Sequence, residues 1–240
     1  MMKFAYLIEP PFNYVDENNR VTGCDVELAQ TVLEKIGIKQ LELIETEFSQ
    51  LLPGVKQGKW QMTTGLFATE ERCQTASFSE PIWALPDGLL VAKGNPMKLT
   101  GYASIAQNQH CTLAVIRDQF QHRSAIEYGV PDSRIKLFET YTEAATAVSI
   151  GTVDAYASVA QAHKGYLQHN DTLTLDIVVV PSQEKEPAFG CFAFNKADNE
   201  LRESIDNELS RYLGSAHHRS MMRGFGFTDK EVDLVPLTHL

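Results

Sequence analysis

Arg72 is the side chain whose type and setting carry the plainest chemistry. It lies in the stretch from Gly65 to Trp83, which reads Gly-Leu-Phe-Ala-Thr-Glu-Glu-Arg-Cys-Gln-Thr-Ala-Ser-Phe-Ser-Glu-Pro-Ile-Trp. A guanidinium is always charged, and its planar fork of donors matches a carboxylate in two hydrogen bonds. An arginine fixed at the rim of a sheet therefore anchors a small anionic or zwitterionic ligand. The alternative, ion pairing with its own helical neighbours, is left equally open by local features. Glu9, three residues before Phe12, adds a full negative charge at the end of a first strand; it is either a partner for a cation or a solvated loop carboxylate. Aromatic faces attract cations by roughly 0.5–2 kcal/mol per contact, while a phenylalanine taken singly fills a core. Nothing in the chain supplies a nucleophile elbow, a Gly-rich phosphate loop or metal-ligand spacing. His217 and His218 are adjacent on an expected helix, so their side chains diverge. No catalytic residue, metal or cofactor is expected.

The elements that position these groups alternate between strand and helix, which predicts an α/β fold with mainly parallel sheets. Phe4–Ile8 reads as the first strand. Asp25 is placed to cap a helix with Val26, Ala29, Val32, Leu33 and Ile36 on one side and Gly37 as its stop. Leu41–Ile44 is a second strand, and Phe48–Gln57 a helix ended by Gly58. Gln61–Gly65 leads into a short helix capped by Thr69, whose first turn carries Glu70 and Glu71 at its positive end. A second series follows. Its strands are Cys111–Ile116, Ile135–Phe138 and Ala155–Ala157; its helices are Gln119–Tyr128, Tyr141–Ile150 and Val159–Gln168, the first two stopped by Gly129 and Gly151. Leu175–Val180 reads as an apolar strand covered on both faces. Gly190–Phe194, a long helix from Asp198 and a last helix over Ala216–Gly224 complete the chain.

Several blocks in order carry a family resemblance over nearly the whole length. They are Glu9-Pro10-Pro11-Phe12-Asn13-Tyr14, Gly23-Cys24-Asp25-Val26-Glu27-Leu28, Phe48 to Gly54 with Gly58-Lys59-Trp60, the Thr69-Glu70-Glu71-Arg72 turn with Phe78-Ser79-Glu80-Pro81, and Gly151-Thr152-Val153-Asp154-Ala155. Together they resemble the extracellular solute-binding proteins of amino-acid-type ABC importers. The resemblance implies a two-lobed periplasmic-binding-protein fold of type II. Lobe 1 would run over 1–90 plus 188–240 and lobe 2 over 91–187, with two hinge crossings and a ligand cleft between lobes.

It also implies a site. Phe12, Phe48, Phe67 and Phe120 fall where such lobes face the cleft, beside Arg72 and Glu9. Arg72 would hold a ligand carboxylate, the rings a cationic body, and Glu9 a donor on that end. Two departures sharpen the ligand. Phe67 stands near the place of a carboxylate-binding hydroxyl, and Val159 stands where relatives that bind ordinary amino acids carry an aspartate for the α-ammonium. An unpartnered ammonium is costly to bury, so the pattern resembles the ectoine- and hydroxyectoine-binding branch. In lobe 2 the loop Ile116-Arg117-Asp118-Gln119-Phe120-Gln121 replaces small, Gly-rich residues. Phe120 and Gln121 map onto ligand-facing positions, with Arg117 or Gln119 as alternatives.

The 240 residues, 43% hydrophobic and 22% charged, suit a globular protein, and a formal net charge of −10 argues against nucleic acid or an anionic membrane as partner. No run approaches the roughly 18 apolar residues that span a bilayer. Met1-Met2-Lys3 leads straight into the first strand, so the chain reads as one whose leader has been removed, for a periplasmic or extracellular location. Cys24, Cys73, Cys111 and Cys191 read as buried free thiols. The expected partners are a small zwitterionic solute and, transiently, a membrane ABC permease, with the protein a monomer. Competing readings are an enzyme of the cyclohexadienyl dehydratase type, for which Glu9 is the one cleft carboxylate, and the ligand-sensing module of a receptor.

Overall fold

Strand Met2–Tyr6 is buried almost throughout, as a strand flanked on both sides must be, and pairs in parallel with Leu41–Glu45 and with Met62–Thr63. Ala193–Phe194 then adds antiparallel to Met62 and to Ser77–Phe78, giving a five-stranded mixed sheet. A smaller sheet joins Leu66–Phe67, Ala188–Cys191 and Trp83–Leu85. Apart from the end residues Leu85 and Ala188, these belong to a unit made of Met1–Ala84 and the chain from Phe189 onward. The second unit, Leu85–Ala188, is continuous in sequence. The computed structural model describes residues 1–235; residues 236–240, the end of the expected first lobe, lie outside the described residues.

The second unit is built on five strands in the order Ile135–Phe138, Leu113–Ile116, Ala155–Val159, Asp87–Ala92, Leu175–Val179. The first three pair in parallel; Asp87–Ala92 runs against them, pairing antiparallel with Ala155–Val159 and with Leu175–Val179, so that Leu175–Val179 runs the same way as the first three. Its core gathers Leu89, Val91, Tyr102, Ile105, Leu113 and Val115, each 1% exposed or less. Arg134 closes the end of the Tyr102–Gln107 helix. Its Nη1 donates to the carbonyls of Ile105 and Cys111 at 2.9 Å each, and its Nη2 to that of Ala106 at 3.0 Å. Carbonyls left over at a helix end thereby find donors.

Several elements fall where local chemistry puts them. Thr140 caps Tyr141–Ser149 in a reciprocal box with Glu143, and Gly151 stops that helix at φ 73°. The Ala216–Gly224 helix spans its expected residues, capped by Ser215. Others differ. The stretch from Phe48 is a 3-10 turn, Phe48–Gln50, followed by a helix over Leu51–Lys56. Strand Leu175–Val179 is an edge, half-exposed, and includes Asp176, which pairs with Lys93 at 2.9 Å; it is not covered on both faces. Each five-stranded sheet has four strands running one way, as expected of mainly parallel sheets, and one reversed strand, Ala193–Phe194 in the first unit and Asp87–Ala92 in the second. Cys24, Cys111 and Cys191 are buried thiols, but Cys73 is exposed on the four-residue helix Glu70–Cys73.

Candidate functional site

In the first unit the site is organised around a carboxylate that local reading misplaces. Asp25 does not cap the Cys24–Lys35 helix: the cap is Gly23, and Asp25 points into the interior at 1% exposure. Its Oδ2 accepts from the Thr64 hydroxyl at 2.6 Å and the Gly65 amide at 2.8 Å, and its Oδ1 accepts from the Trp83 indole at 3.0 Å. Burial pushes the Asp25 pKa up, while these donors pull against it. Thr64 in turn accepts from the Asn13 amide at 2.7 Å. The carboxylate thus ties the loop after the first strand to the loop that leads to Arg72.

Trp83 is held as tightly by what is missing around it. A Cβ added at Gly65 would lie 2.7 Å from its ring, and one added at Gly190 only 2.1 Å from it. Both positions need glycine for the indole to lie against the backbone. Phe12 packs on Trp83 with centroids 5.3 Å apart, and Phe67 meets it edge-on at 5.8 Å. The rings of Phe12 and Phe67 are thereby joined through a third aromatic. Phe12 also packs on Phe227 at 6.2 Å.

Arg72 is fixed from three sides. Thr69 accepts its backbone N–H at 3.3 Å, its Nη1 donates to the Phe67 carbonyl at 3.0 Å, and its guanidinium lies over the Phe48 ring at 5.4 Å. It is half-buried. Glu9 sits in a turn closed by paired backbone bonds with Asn13, at 2.8 and 3.1 Å, and is 8% exposed, so it is not a solvated loop carboxylate. The structure brings Phe48, Phe67 and Arg72 into direct contact, joins Phe12 to them through Trp83, and places Glu9 in the turn that carries Phe12.

In the second unit, Phe120 and Gln121 open the Phe120–Glu127 helix at the carboxyl end of strand Leu113–Ile116. That end of a parallel strand is where α/β sheets place ligand sites. The half-buried Phe120 ring lies under the Lys185 ammonium at 5.1 Å. Lys185 pairs with Asp87 at 2.9 Å, its side chain 11% exposed against none for Asp87. Gln121 is buried and donates to Asp87 at 2.9 Å, and the Tyr102 hydroxyl donates to the same carboxylate at 2.7 Å. Arg117 is exposed and bound to Glu139 at 2.6 Å, which raises its pKa. Val159 ends strand Ala155–Val159, 7% exposed.

Sequence reading passed over Trp83, Asp87 and Lys185. For Trp83 a signal existed in Gly65, the glycine of a strand end. For Asp87 and Lys185 none did, because their pairing spans almost the whole second unit.

A family model for bacterial extracellular solute-binding proteins, family 3, matches residues 3–221. The chain is 30% identical over 237 residues to a probable amino-acid ABC transporter periplasmic-binding protein of Sinorhizobium fredii, covering 95% of this chain and 77% of that one. It is 30% identical over 207 residues to a probable amino-acid-binding protein of Bacillus subtilis, covering 83% and 73%. Among solved structures it resembles EhuB in complex with hydroxyectoine, with a TM-score of 0.87, 25% identity, and coverage of 97% and 91%.

Proposed function

The chain belongs to the bacterial extracellular solute-binding proteins, family 3, and from that premise we propose that it captures a small zwitterionic solute and hands it to a membrane ABC permease. Hydroxyectoine and ectoine are the leading candidates for that solute. The observation that carries this reading is the fixed guanidinium of Arg72, stacked on Phe48 and tied to the Phe67 carbonyl, beside the Phe12–Trp83–Phe67 series of rings. A guanidinium so held loses little further freedom on meeting a carboxylate, which favours tight capture. Rings stacked nearby suit a delocalised cation better than a bare ammonium. Glu9, buried in the Phe12 turn, supplies the opposite charge for that cation.

On this reading the protein is a monomer working outside the cytoplasmic membrane; no helix among the described residues is long and apolar enough to cross a membrane. It binds and releases without chemistry. Glu9 as a charge partner needs no acid–base role, and this favours binding over the dehydratase alternative. The relatives bearing amino-acid transport names support the permease partner.

A thermal-shift screen across ectoine, hydroxyectoine, proteinogenic amino acids, betaines and polyamines tests the proposal. A captured solute raises the melting temperature with the logarithm of its excess over Kd. A shift with ectoine or hydroxyectoine at millimolar level is the expected result. No shift with either would remove them, and no shift with any zwitterion would overturn the reading as a whole.

A further inference from the structure

The loop Ile116–Gln121 holds five polar or aromatic side chains; Asp118 is exposed, and three of the others are already engaged. The Arg117 guanidinium is bound to Glu139, the Gln121 amide to Asp87, and the Phe120 ring lies under the Lys185 ammonium. Gln119 is different. It precedes the Phe120–Glu127 helix, is 7% exposed, and its amide oxygen is buried with no hydrogen-bond partner. Its backbone is fully used, the N–H donating to Ile116 O at 3.2 Å and the C=O accepting from His122 N at 3.3 Å, so the orphan is the side chain alone. Buried acceptors without donors are rare in native proteins, and each calls for an explanation. Leucine would fill the same space without that penalty. Here the orphan stands at the carboxyl end of a central parallel strand, where α/β folds bind ligands.

We propose that Gln119 is the specificity-determining residue of the second unit, and that its amide oxygen accepts a hydrogen bond from an N–H on the cationic part of the solute. This rests on the solute-binding reading above and narrows it. The Phe120 face, being taken by a resident cation, is not the group that reads the solute's charge from this unit. An amide acceptor distinguishes cations that carry N–H, such as a cyclic amidinium or a primary ammonium, from fully methylated ammonium groups, which have no donor to give. Rings alone do not make that distinction, because they attract both. The protein therefore selects a zwitterion with an N–H cation and discriminates against betaines.

The test uses isothermal calorimetry with hydroxyectoine and with glycine betaine, on the wild type and on Gln119→Leu, together with melting temperatures in the absence of solute. Wild type is expected to bind hydroxyectoine and to bind glycine betaine at least about tenfold more weakly, the worth of one hydrogen bond to a charged donor. Gln119→Leu is expected to lose about tenfold or more for hydroxyectoine, to leave glycine betaine within about twofold, and to melt higher without solute because the orphaned amide is gone. A residue with only a structural role would not combine a higher melting point with a selective loss of affinity. Hydroxyectoine binding within about twofold of wild type in the leucine variant would overturn the assignment. Equal losses for both solutes, or a variant that melts lower, would do the same. Failure of the wild type to bind hydroxyectoine at all would instead count against the solute reading on which the assignment stands.

Discussion

Acidification should weaken this protein through His163, and the size of the effect follows from how the ring is held. His163 is fully buried in the second unit, with Nε2 3.1 Å from the Gly88 carbonyl and Nδ1 bonded to the Tyr141 hydroxyl. Tyr141 and Tyr156 close over it, their centroids 5.7 and 5.2 Å from its own. A carbonyl can only accept, so the proton sits on Nε2 and Nδ1 accepts from Tyr141. A second proton would force the tyrosine to turn round, and among the described residues no carboxylate bonds to the ring to offset the charge. Burial accordingly lowers the His163 pKa from 6.5 to about 4. An unfolded histidine takes its proton near pH 6.5, the folded one only near pH 4, so the unfolded state is protonated first and stability falls as pH drops through that window. At pH 5 the loss is about 2 kcal/mol, rising to about 3 kcal/mol below pH 4. Against a total of roughly 5–15 kcal/mol for a typical domain this is easily measured. Urea unfolding at pH 7 and pH 5 should be compared between wild type and His163→Gln, which keeps a donor and an acceptor but does not titrate. The wild type should lose about 2 kcal/mol more than the variant between the two pH values. His218, whose pKa burial also lowers to about 4, titrates in both proteins and cancels. Equal losses in the two proteins would refute the argument.

Gly190→Ala should drive the Trp83 ring out of its seat, at about 1–3 kcal/mol, with a change in the emission maximum of an indole now packed between glycines. Lys185→Met should leave Asp87 charged and fully buried without its cation, costing about 3–5 kcal/mol in urea unfolding; a loss under about 1 kcal/mol would mean that Tyr102 and Gln121 suffice. Arg72→Ala should weaken calorimetric binding of hydroxyectoine at least about thirtyfold, since truncating one member of a desolvated charge pair removes about 2 kcal/mol or more. A change under about threefold would take Arg72 out of the site.

What could be read from the sequence was what short stretches of chain decide by themselves. Thr69 caps its helix, Thr140 and Glu143 form their box, and Gly151 stops a helix in the left-handed region, because each of these depends on residues within a turn. Asp25 looks like a cap for the same reason, and is not one: its partners Thr64, Gly65 and Trp83 lie 39, 40 and 58 residues away. Asp87 is equally hidden, surrounded by Tyr102, Gln121 and Lys185 from three separate segments. The grouping of Phe48, Phe67 and Arg72 came from the family pattern, since no local periodicity relates a 3-10 turn, a two-residue strand and a four-residue helix. That the Gln121 amide is already committed to Asp87 could not be read from its own loop, because the acceptor lies on a strand more than thirty residues earlier.

The two units differ in how they are written along the chain, and that sets an order of events during synthesis. Leu85–Ala188 is uninterrupted, so every strand of its sheet exists once Val179 has left the ribosome. The other sheet waits for Ala193–Phe194 to reach back to Met62 and Ser77–Phe78, where Ser77 is hydrogen-bonded to Asn195, 118 residues downstream. Joining ends so far apart is entropically unfavourable and slow. The inserted half is thus free to close while its host is still incomplete, and Phe67 beside Arg72 waits for Gly190 to pair with it.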